Sequence, residues 1–468
     1  MPSAYPEHVT TNADRTSVGS IFGGQYRALT LGIVAIMTIA AFEGMGVITA
    51  MPAAARDLDG LTLYGWGSTA FAVASLFAMA TAGGWADRSG PLPPLTTGLG
   101  IFVGGLIISG SAPTMLVLLG GRALQGLGFG GVIVALYVVI GRAYPESLRP
   151  RVFTALSGAW VVPGITGPVI AGVVTETVGW RWVFFGVLLL LLPVSLVLIP
   201  RLKSLHIAPD ADTEPLKGRK RLAFLAAIGA GLLQYAGQRL DPIGLLIALP
   251  AVVMLWISVP QLLPKGAFQL RRGLPTVVML RGFFAGAFFA TEWFIPLLLV
   301  SERNLSYALA GGALSGAAVG WFLGSWYQGR PTTRTPRYRL VEVGSAMTAL
   351  GIATSALIVF QDFPWWLIVL TWSVGSFGMG ILYGSLGVLL LELSAPEEQG
   401  INSAALQMAD SLGVIACTGL GGVIFAAGHS AAGEDGDVYV LIFAVMVALA
   451  VFATAISPRV RPRERVTA

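Results

Sequence analysis

Residues 115–140 read MLVLLGGRALQGLGFGGVIVALYVVI. One charge, Arg122, and one amide, Gln125, interrupt a run that is otherwise apolar or glycine with a single tyrosine. A helix needs about 20 such residues to cross the hydrocarbon layer of a bilayer. The stretch therefore reads as a membrane-crossing helix. Arg122 within it is an ionisable group that costs several kcal/mol unless it is paired or hydrated.

The same ruler laid along all 468 residues gives fourteen segments. The first six lie near 28–51, 65–84, 95–112, 115–140, 152–175 and 183–200. Two shorter ones follow near 222–238 and 243–263. Six more lie near 275–300, 306–327, 340–360, 365–391, 401–427 and 438–457. Composition agrees: 55% of residues are hydrophobic and 11% are charged, against about 25% charged in soluble domains. Mean hydropathy is +0.76. The expected fold class is all-α and integral to a membrane. The two middle segments are bounded by charges and hold none inside, which favours two further spans. The alternative is a pair of interfacial helices in a long linker, leaving twelve spans.

Loop charge orients the bundle, because cytoplasmic loops collect Lys and Arg. Basic residues crowd 142–151, 201–221, 265–272, 330–339 and 459–465, whereas the opposite loops hold only Arg56, Arg181, Arg239 and Arg303. Both termini are thus expected in the cytoplasm, for twelve spans as for fourteen. This asymmetry accounts for the pI near 9.4 without a nucleic-acid partner. The first 27 residues are polar and lack a signal-peptide pattern. The lone Cys417 and the scattered His8, His206 and His429 offer no disulfide and no metal-ligand spacing.

Six spans precede residue 201 and six follow 274, divided by a basic stretch with Pro209 and Pro215. The expected organisation is a tail at 1–27, a six-helix bundle at 28–200 and a linker with two extra spans at 201–274. A second six-helix bundle at 275–457 and a basic tail at 458–468 complete it. Paired bundles that rock about a central site are a common transporter plan. Glycines at three- or four-residue spacing, as in Gly126-Gly130 and Gly312-Gly316-Gly320-Gly324, let helix backbones approach closely in lipid.

Three motifs carry chemistry. Span 2 runs into Gly83-Gly84-Trp85-Ala86-Asp87-Arg88-Ser89-Gly90, read as a tight charged turn. Span 4 carries Gly121-Arg122-Ala123-Leu124-Gln125-Gly126. Span 5 carries Gly167-Pro168-Val169-Ile170-Ala171-Gly172, then Gly179-Trp180-Arg181-Trp182 at its outer end. In this order they resemble the major facilitator superfamily over about the whole chain. Arg122, Gln125 and Gly126 together with Gly167 and Pro168 make the resemblance specific, and the Gly167-Pro168 pattern looks like the antiporter motif of the superfamily's drug:proton exporters. Glu43, nine residues before Pro52, stands where the fourteen-span branch carries an Asp. The resemblance implies gating roles for Gly83, Asp87, Arg88, Gly90, Gly167 and Pro168. Two departures stand out. Pro91 and Leu92 replace the family's basic pair after Gly90, and Pro163 and Ala171 replace two expected glycines.

Glu43, Glu292 and Asp410 are acids deep in apolar runs, and Arg122 and Arg281 are the deep bases. Ionisable groups at such depth are functional candidates. Glu43, Glu292, Arg122 and Asp410 are taken as the proton-coupling set. Arg281, near its span's end, reads equally as a snorkelling cation. Phe42, Met45, Gln125, Phe288, Phe289, Trp293, Tyr383 and Met408 form the candidate substrate cavity, since aromatic and Met side chains suit varied apolar ligands. Trp365 and Trp366 look like interfacial anchors.

The expected function is a proton-coupled exporter of hydrophobic or amphipathic small molecules, acting as a monomer. Its partners would be a lipophilic substrate, protons and membrane lipids. It would need no cofactor beyond the proton gradient. A lipid or glycolipid exporter and a polar-nutrient importer are the alternatives. No nucleophile elbow or phosphate-binding loop supports an enzyme or an ATP-driven pump. The Arg- and Ala-rich, Lys-poor composition points to the plasma membrane of a bacterium with a GC-rich genome.

Overall fold

Apolar runs of this length close their backbone hydrogen bonds internally, because lipid offers no partners. The outcome is helix after helix. The computed structural model describes residues 20–24, 26–145, 148–204, 217–238, 242–330, 335–395, 398–430 and 435–461. The expected tails, except residues 20–24, 26–27 and 458–461, and the middle of the linker at 205–216 lie outside the described residues.

The helices of the first half are α1 (Arg27–Asp57), α2 (Trp66–Ser89), α3 (Leu92–Gly110), α4 (Met115–Ala143), α5 (Arg149–Gly158), α6 (Val161–Thr177) and α7 (Arg181–Ser204). The middle pair is α8 (Lys217–Gln238) and α9 (Pro242–Leu262). The second half holds α10 (Leu274–Ser301), α11 (Tyr307–Gly329), α12 (Arg337–Ala356), α13 (Leu367–Leu393), α14 (Gln399–Gly428) and α15 (Gly436–Ile456). Twelve described helices are long and apolar enough to cross a membrane, and Val161–Thr177 and Arg221–Gly237 are shorter apolar stretches.

Local chemistry sets the boundaries. Thr114 caps α4 by accepting from the Val117 N–H, and Ser306 caps α11 by accepting from the Leu309 N–H. Pro93 and Pro275 sit in the first turns of α3 and α10, where a missing N–H costs nothing. The Gly83–Gly90 motif is not itself a turn. Helix α2 continues through Ser89, and the chain reverses only at Gly90, whose φ of 77° suits glycine.

The fifth span differs from the expected continuous helix at 152–175. It breaks at Ala159–Trp160 into α5 and α6. Pro163 explains the break: in a helix interior it would remove a hydrogen bond and clash one turn back, but it is tolerated in a first turn. The helix restarts at Val161 so that Pro163 falls there. Pro168 stays inside α6.

In the first half α4 packs on α2 and α3, and α1 packs on α6 and α7. In the second half α13 packs on α11 and α12, and α10 on α14 and α15. The glycine rows serve these contacts. A Cβ on Gly126 would lie 2.2 Å from the Phe71 carbonyl oxygen, and one on Gly324 would lie 2.1 Å from that of Phe377. The two halves meet where α6 packs on α11, α2 on α14, and α1 on α10. Helices α8 and α9 pair as a hairpin, with α8 leaning on both α2 and α14. Ala227 and Ala230 of α8 join Leu76 and Ile415 in a small core of their own, and Gln234 donates to the Gly419 carbonyl. Helix α9 presents Leu245, Leu246, Leu249 and Trp256 outward, as a lipid-facing helix does.

The start of α1 and the end of α15 lie on one face of the bundle. There Thr30, near the start of α1, shares a hydrogen bond with Tyr144 at the end of α4, and the Gly273 N–H before α10 donates to the Arg459 carbonyl. We call this the termini face and its opposite the far face. On the far face Asp57 accepts from Trp180 and pairs with Arg181 at 2.7 Å. That contact ties the start of α7 to the end of α1.

Candidate functional site

Helix periodicity places Arg122 and Gln125 one turn apart on the same face of α4, and that face looks at α1. Arg122 Nη1 donates to both Glu43 of α1 and Gln125. Its Nε donates to the Gly67 carbonyl of α2 at 3.2 Å. Gln125 is held in turn by Ser109 of α3, at 3.1 Å. The guanidinium also lies 4.6 Å from the centre of the Phe71 ring. Four helices thus converge on one buried ion pair. Glu43 is 1% exposed and Arg122 is 3% exposed. Removing one member of such a pair leaves an uncompensated buried charge, at a cost of about 3–5 kcal/mol.

A second charged cluster lies in the other half. Arg281 Nε of α10 meets Asp410 Oδ1 of α14 at 2.5 Å. The Tyr383 hydroxyl of α13 donates to the same oxygen at 2.7 Å. The Arg281 guanidinium sits 3.3 Å from the centre of the Tyr383 ring. Arg281 therefore does not simply snorkel. It is the cation of Asp410, and both side chains keep some exposure, at 13% and 22%.

Glu292 belongs to neither cluster. It is 5% exposed on α10, and no cation pairs with it among the described residues. One turn before it on α10 stands Phe288, beside Trp372 of α13. Trp372 opens an aromatic row. Phe288 stacks on it at 4.4 Å, Trp321 of α11 follows against Phe288 and Phe289, and Tyr383 packs on Trp321 at 5.0 Å. This row runs from Glu292 to the Arg281–Asp410 pair.

The other expected residues distribute around these groups. Phe42 and Met45 of α1 pack against Gly167 of α6, where a Cβ would lie 3.4 Å from that of Met45. A Cβ on Gly311 of α11 would lie 2.3 Å from the Pro168 carbonyl oxygen, so Gly167 and Pro168 sit where α6 meets both α1 and α11. Met408 is half-buried on α14. Arg88 is exposed at the end of α2. Gly83 lies within the last two turns of α2, and the Asp87 side chain lies outside the described residues. Phe288 is 1% exposed, stacked rather than open to a cavity. Trp293 is also enclosed, at 4%. It takes part in a contact between the halves: the Tyr64 hydroxyl donates to the Trp293 carbonyl at 2.9 Å. Nearby, Glu176 at the end of α6 accepts from the Ala308 N–H in the first turn of α11 at 2.8 Å. Both contacts lie toward the far face.

Sequence reasoning missed Tyr64, Glu176, Trp321 and Trp372 and undervalued Arg281. For Trp321 a signal existed, since it stands next to Gly320 in the glycine row of a span. For Arg281 the signal was a deep acid, Asp410, lacking a partner.

Two membrane-embedded helical bundles, joined toward one face and holding charged clusters between their helices, have the build of a membrane carrier. The chain matches the sequence model of the Major Facilitator Superfamily over residues 33–417 and belongs to that superfamily of transporters. A probable multidrug-efflux transporter of Mycobacterium tuberculosis is 28% identical over 429 residues, covering 87% of this chain and 89% of the relative. The multidrug transporter protein MdtP of Bacillus subtilis is 25% identical over 417 residues, covering 82% of this chain and 72% of its own. Among solved structures, a peptide transporter POT bound to alafosfalin superposes with a TM-score of 0.67 at 15% identity, over 94% of this chain and 96% of that one. A D-xylose-proton symporter gives 0.67 at 13%, over 94% and 98%. Those two likenesses concern the fold.

Proposed function

We propose that the chain is a proton-coupled exporter of hydrophobic or amphipathic small molecules, working by alternating access. The observation that carries this reading is the different company of its two buried glutamates. Glu43 is neutralised by Arg122, whereas Glu292 has no cation partner among the described residues. A carboxyl without a cation can take and lose a proton without breaking an ion pair. Protonation of Glu43, by contrast, frees Arg122 from its partner and so couples to movement of α1 against α4. Asp410, already held by Arg281 and Tyr383, belongs with Glu43 in this respect. If proton and substrate favour opposite states of the carrier, the gradient drives transport. The aromatic row beside Glu292 suits flat, apolar substrates.

Direction and substrate class rest on the relatives described as multidrug transporters. We assign the termini face to the cytoplasm of a bacterial plasma membrane, because Arg201, Lys203, Arg271, Arg272 and Arg339 lie on exposed ends or loops there. On the far face Arg303 is consumed by the Ile358, Gln361 and Phe363 carbonyls. The far-face contacts then close the carrier to the outside, in the state that loads from within. A lipid exporter would call for a lateral opening between helices, and α8 covers the seam between α2 and α14.

Expression in an efflux-deficient bacterium, with a panel of lipophilic cations, antibiotics and lipids, tests the reading. Protection that a protonophore abolishes supports it. Unchanged accumulation of every compound counts against export.

A further inference from the structure

On the termini face a cavity of about 550 Å³ is lined by Leu270, Arg271, Arg272 and Arg459. Three arginines thus line one space, Arg271 and Arg272 from one chain segment and Arg459 from another far away in sequence. Basic loops are the rule on a cytoplasmic face, and most need no ligand. This one differs in how its backbone is built and in its lack of counter-charge.

The turn before α10 is tied at several points. The Arg271 N–H donates to the Gly266 carbonyl at 3.2 Å, and the Gly273 N–H donates to the Arg459 carbonyl at 2.8 Å. Thr276 Oγ1 donates to the Arg271 carbonyl at 2.7 Å. Gly266 and Gly273 have φ of 87° and 86°, and Leu270 has φ of 49°. A leucine in the left-handed region is uncommon, and such backbone clusters at functional sites. The Arg271 stem lies over Gly266, where a Cβ would come within 2.5 Å of its Cδ. The first turn of α10 begins at Leu274 and adds the positive end of its dipole.

Two residues beyond Arg459, Arg461 finds Glu342 at 2.6 Å. No carboxylate pairs with Arg271, Arg272 or Arg459 among the described residues. Three like charges facing one cavity repel until an anion joins them. The guanidinium fork matches phosphate oxygens in pairs, and the volume falls in the range of small-ligand sites. The cavity stands where the lipid-facing helices α9 and α15 end, and Phe268 of the same turn is 58% exposed. Helix ends of a membrane-crossing protein meet the headgroup layer, where basic pockets between helices hold anionic lipids.

We propose that the Arg271–Arg272–Arg459 cavity binds a phosphate-bearing anion, either an anionic phospholipid headgroup or a soluble phosphate. The site is separate from the transport path, and its occupant is a bound ligand rather than cargo.

Native mass spectrometry of the full-length protein tests this, with phosphatidylglycerol, phosphatidylcholine and inorganic phosphate added separately. The comparison set is wild type, an Arg271→Gln/Arg272→Gln/Arg459→Gln variant, and an Arg151→Gln/Arg201→Gln/Arg339→Gln control that removes as many exposed cations from the same face. We expect wild type and control to retain phosphatidylglycerol at least about tenfold better than the cavity variant, with phosphatidylcholine retained poorly by all three. Millimolar phosphate displacing the lipid from wild type, or binding alone with the same arginine dependence, assigns the site to soluble phosphate. Equal retention by wild type and cavity variant overturns the proposal. So does an equal loss in the control, equal retention of phosphatidylcholine, or binding of no anion by the wild type. Monodisperse elution of each variant confirms that it is folded.

Discussion

Tyr64 and Trp293 exchange hydrogen bonds across the two halves of the molecule. The Tyr64 hydroxyl donates to the Trp293 carbonyl at 2.9 Å, and the Trp293 indole donates to the Tyr64 carbonyl at 3.4 Å. Their rings pack at 5.6 Å. Trp293 adjoins Glu292 in sequence, so the clamp and the unpaired carboxyl share one turn of α10. A change at Glu292 that turns or shifts α10 bears directly on the clamp.

Tyr64→Phe removes one of those bonds and keeps the ring. A net hydrogen bond contributes about 0.5–1.5 kcal/mol, so the far-face-closed population should fall relative to the open one by roughly two- to tenfold. Spin labels on Thr62→Cys and Asp362→Cys, in a Cys417→Ser background, report it. The distance distribution should broaden toward longer values in the variant. An unchanged distribution would show that the clamp does not hold the halves.

Glu43→Gln strands Arg122 in a site where it is 3% exposed. We expect a loss of about 3–5 kcal/mol in stability. Glu43→Gln/Arg122→Gln should lose less than the sum of the single changes, since neither residue is then left charged and alone. Melting in detergent over the four-member cycle measures this. Additive losses would mean that the pair does not act as a unit.

Glu302 lies just past α10 on the far face, and burial pushes its carboxyl above the ordinary glutamate value of 4.5. The nearby Asp435 carboxylate adds to the rise, while the Asp435 backbone and Arg56 act against it. Asp435 is itself held by His429 at 2.6 Å, and Tyr439 beside it bonds Ser301. A raised carboxyl favours the folded state when protonated. That contribution is full below the unfolded value and is lost as pH rises through the folded one. Glu302→Gln should therefore flatten the fall in melting temperature on raising pH above about 4.5. A variant that keeps the wild-type slope would assign the dependence to another group.

Much of the fold was legible because a membrane helix is written locally, in one apolar run. The fifth span shows the limit. Two prolines five positions apart look alike in sequence, yet only Pro163 marks the break, because a helix can begin just ahead of it. The candidate site divides in the same way. Arg122 and Gln125 are three residues apart, so their shared face was readable. Arg281 and Asp410 lie 129 residues apart, and Tyr64 and Trp293 lie 229 apart. One sequence holds no trace of such pairings until the helices pack. The side chain of Trp293 was expected toward a cavity for that reason, and the structure engages it in the clamp.

Transport by purified protein in liposomes with an imposed pH gradient bears most directly on proton coupling. Glu292→Gln should bind substrate and equilibrate it, yet lose accumulation against a gradient. Glu43→Gln should lose gradient-driven transport together with stability. Wild-type gradient-driven accumulation in both variants would contradict the account.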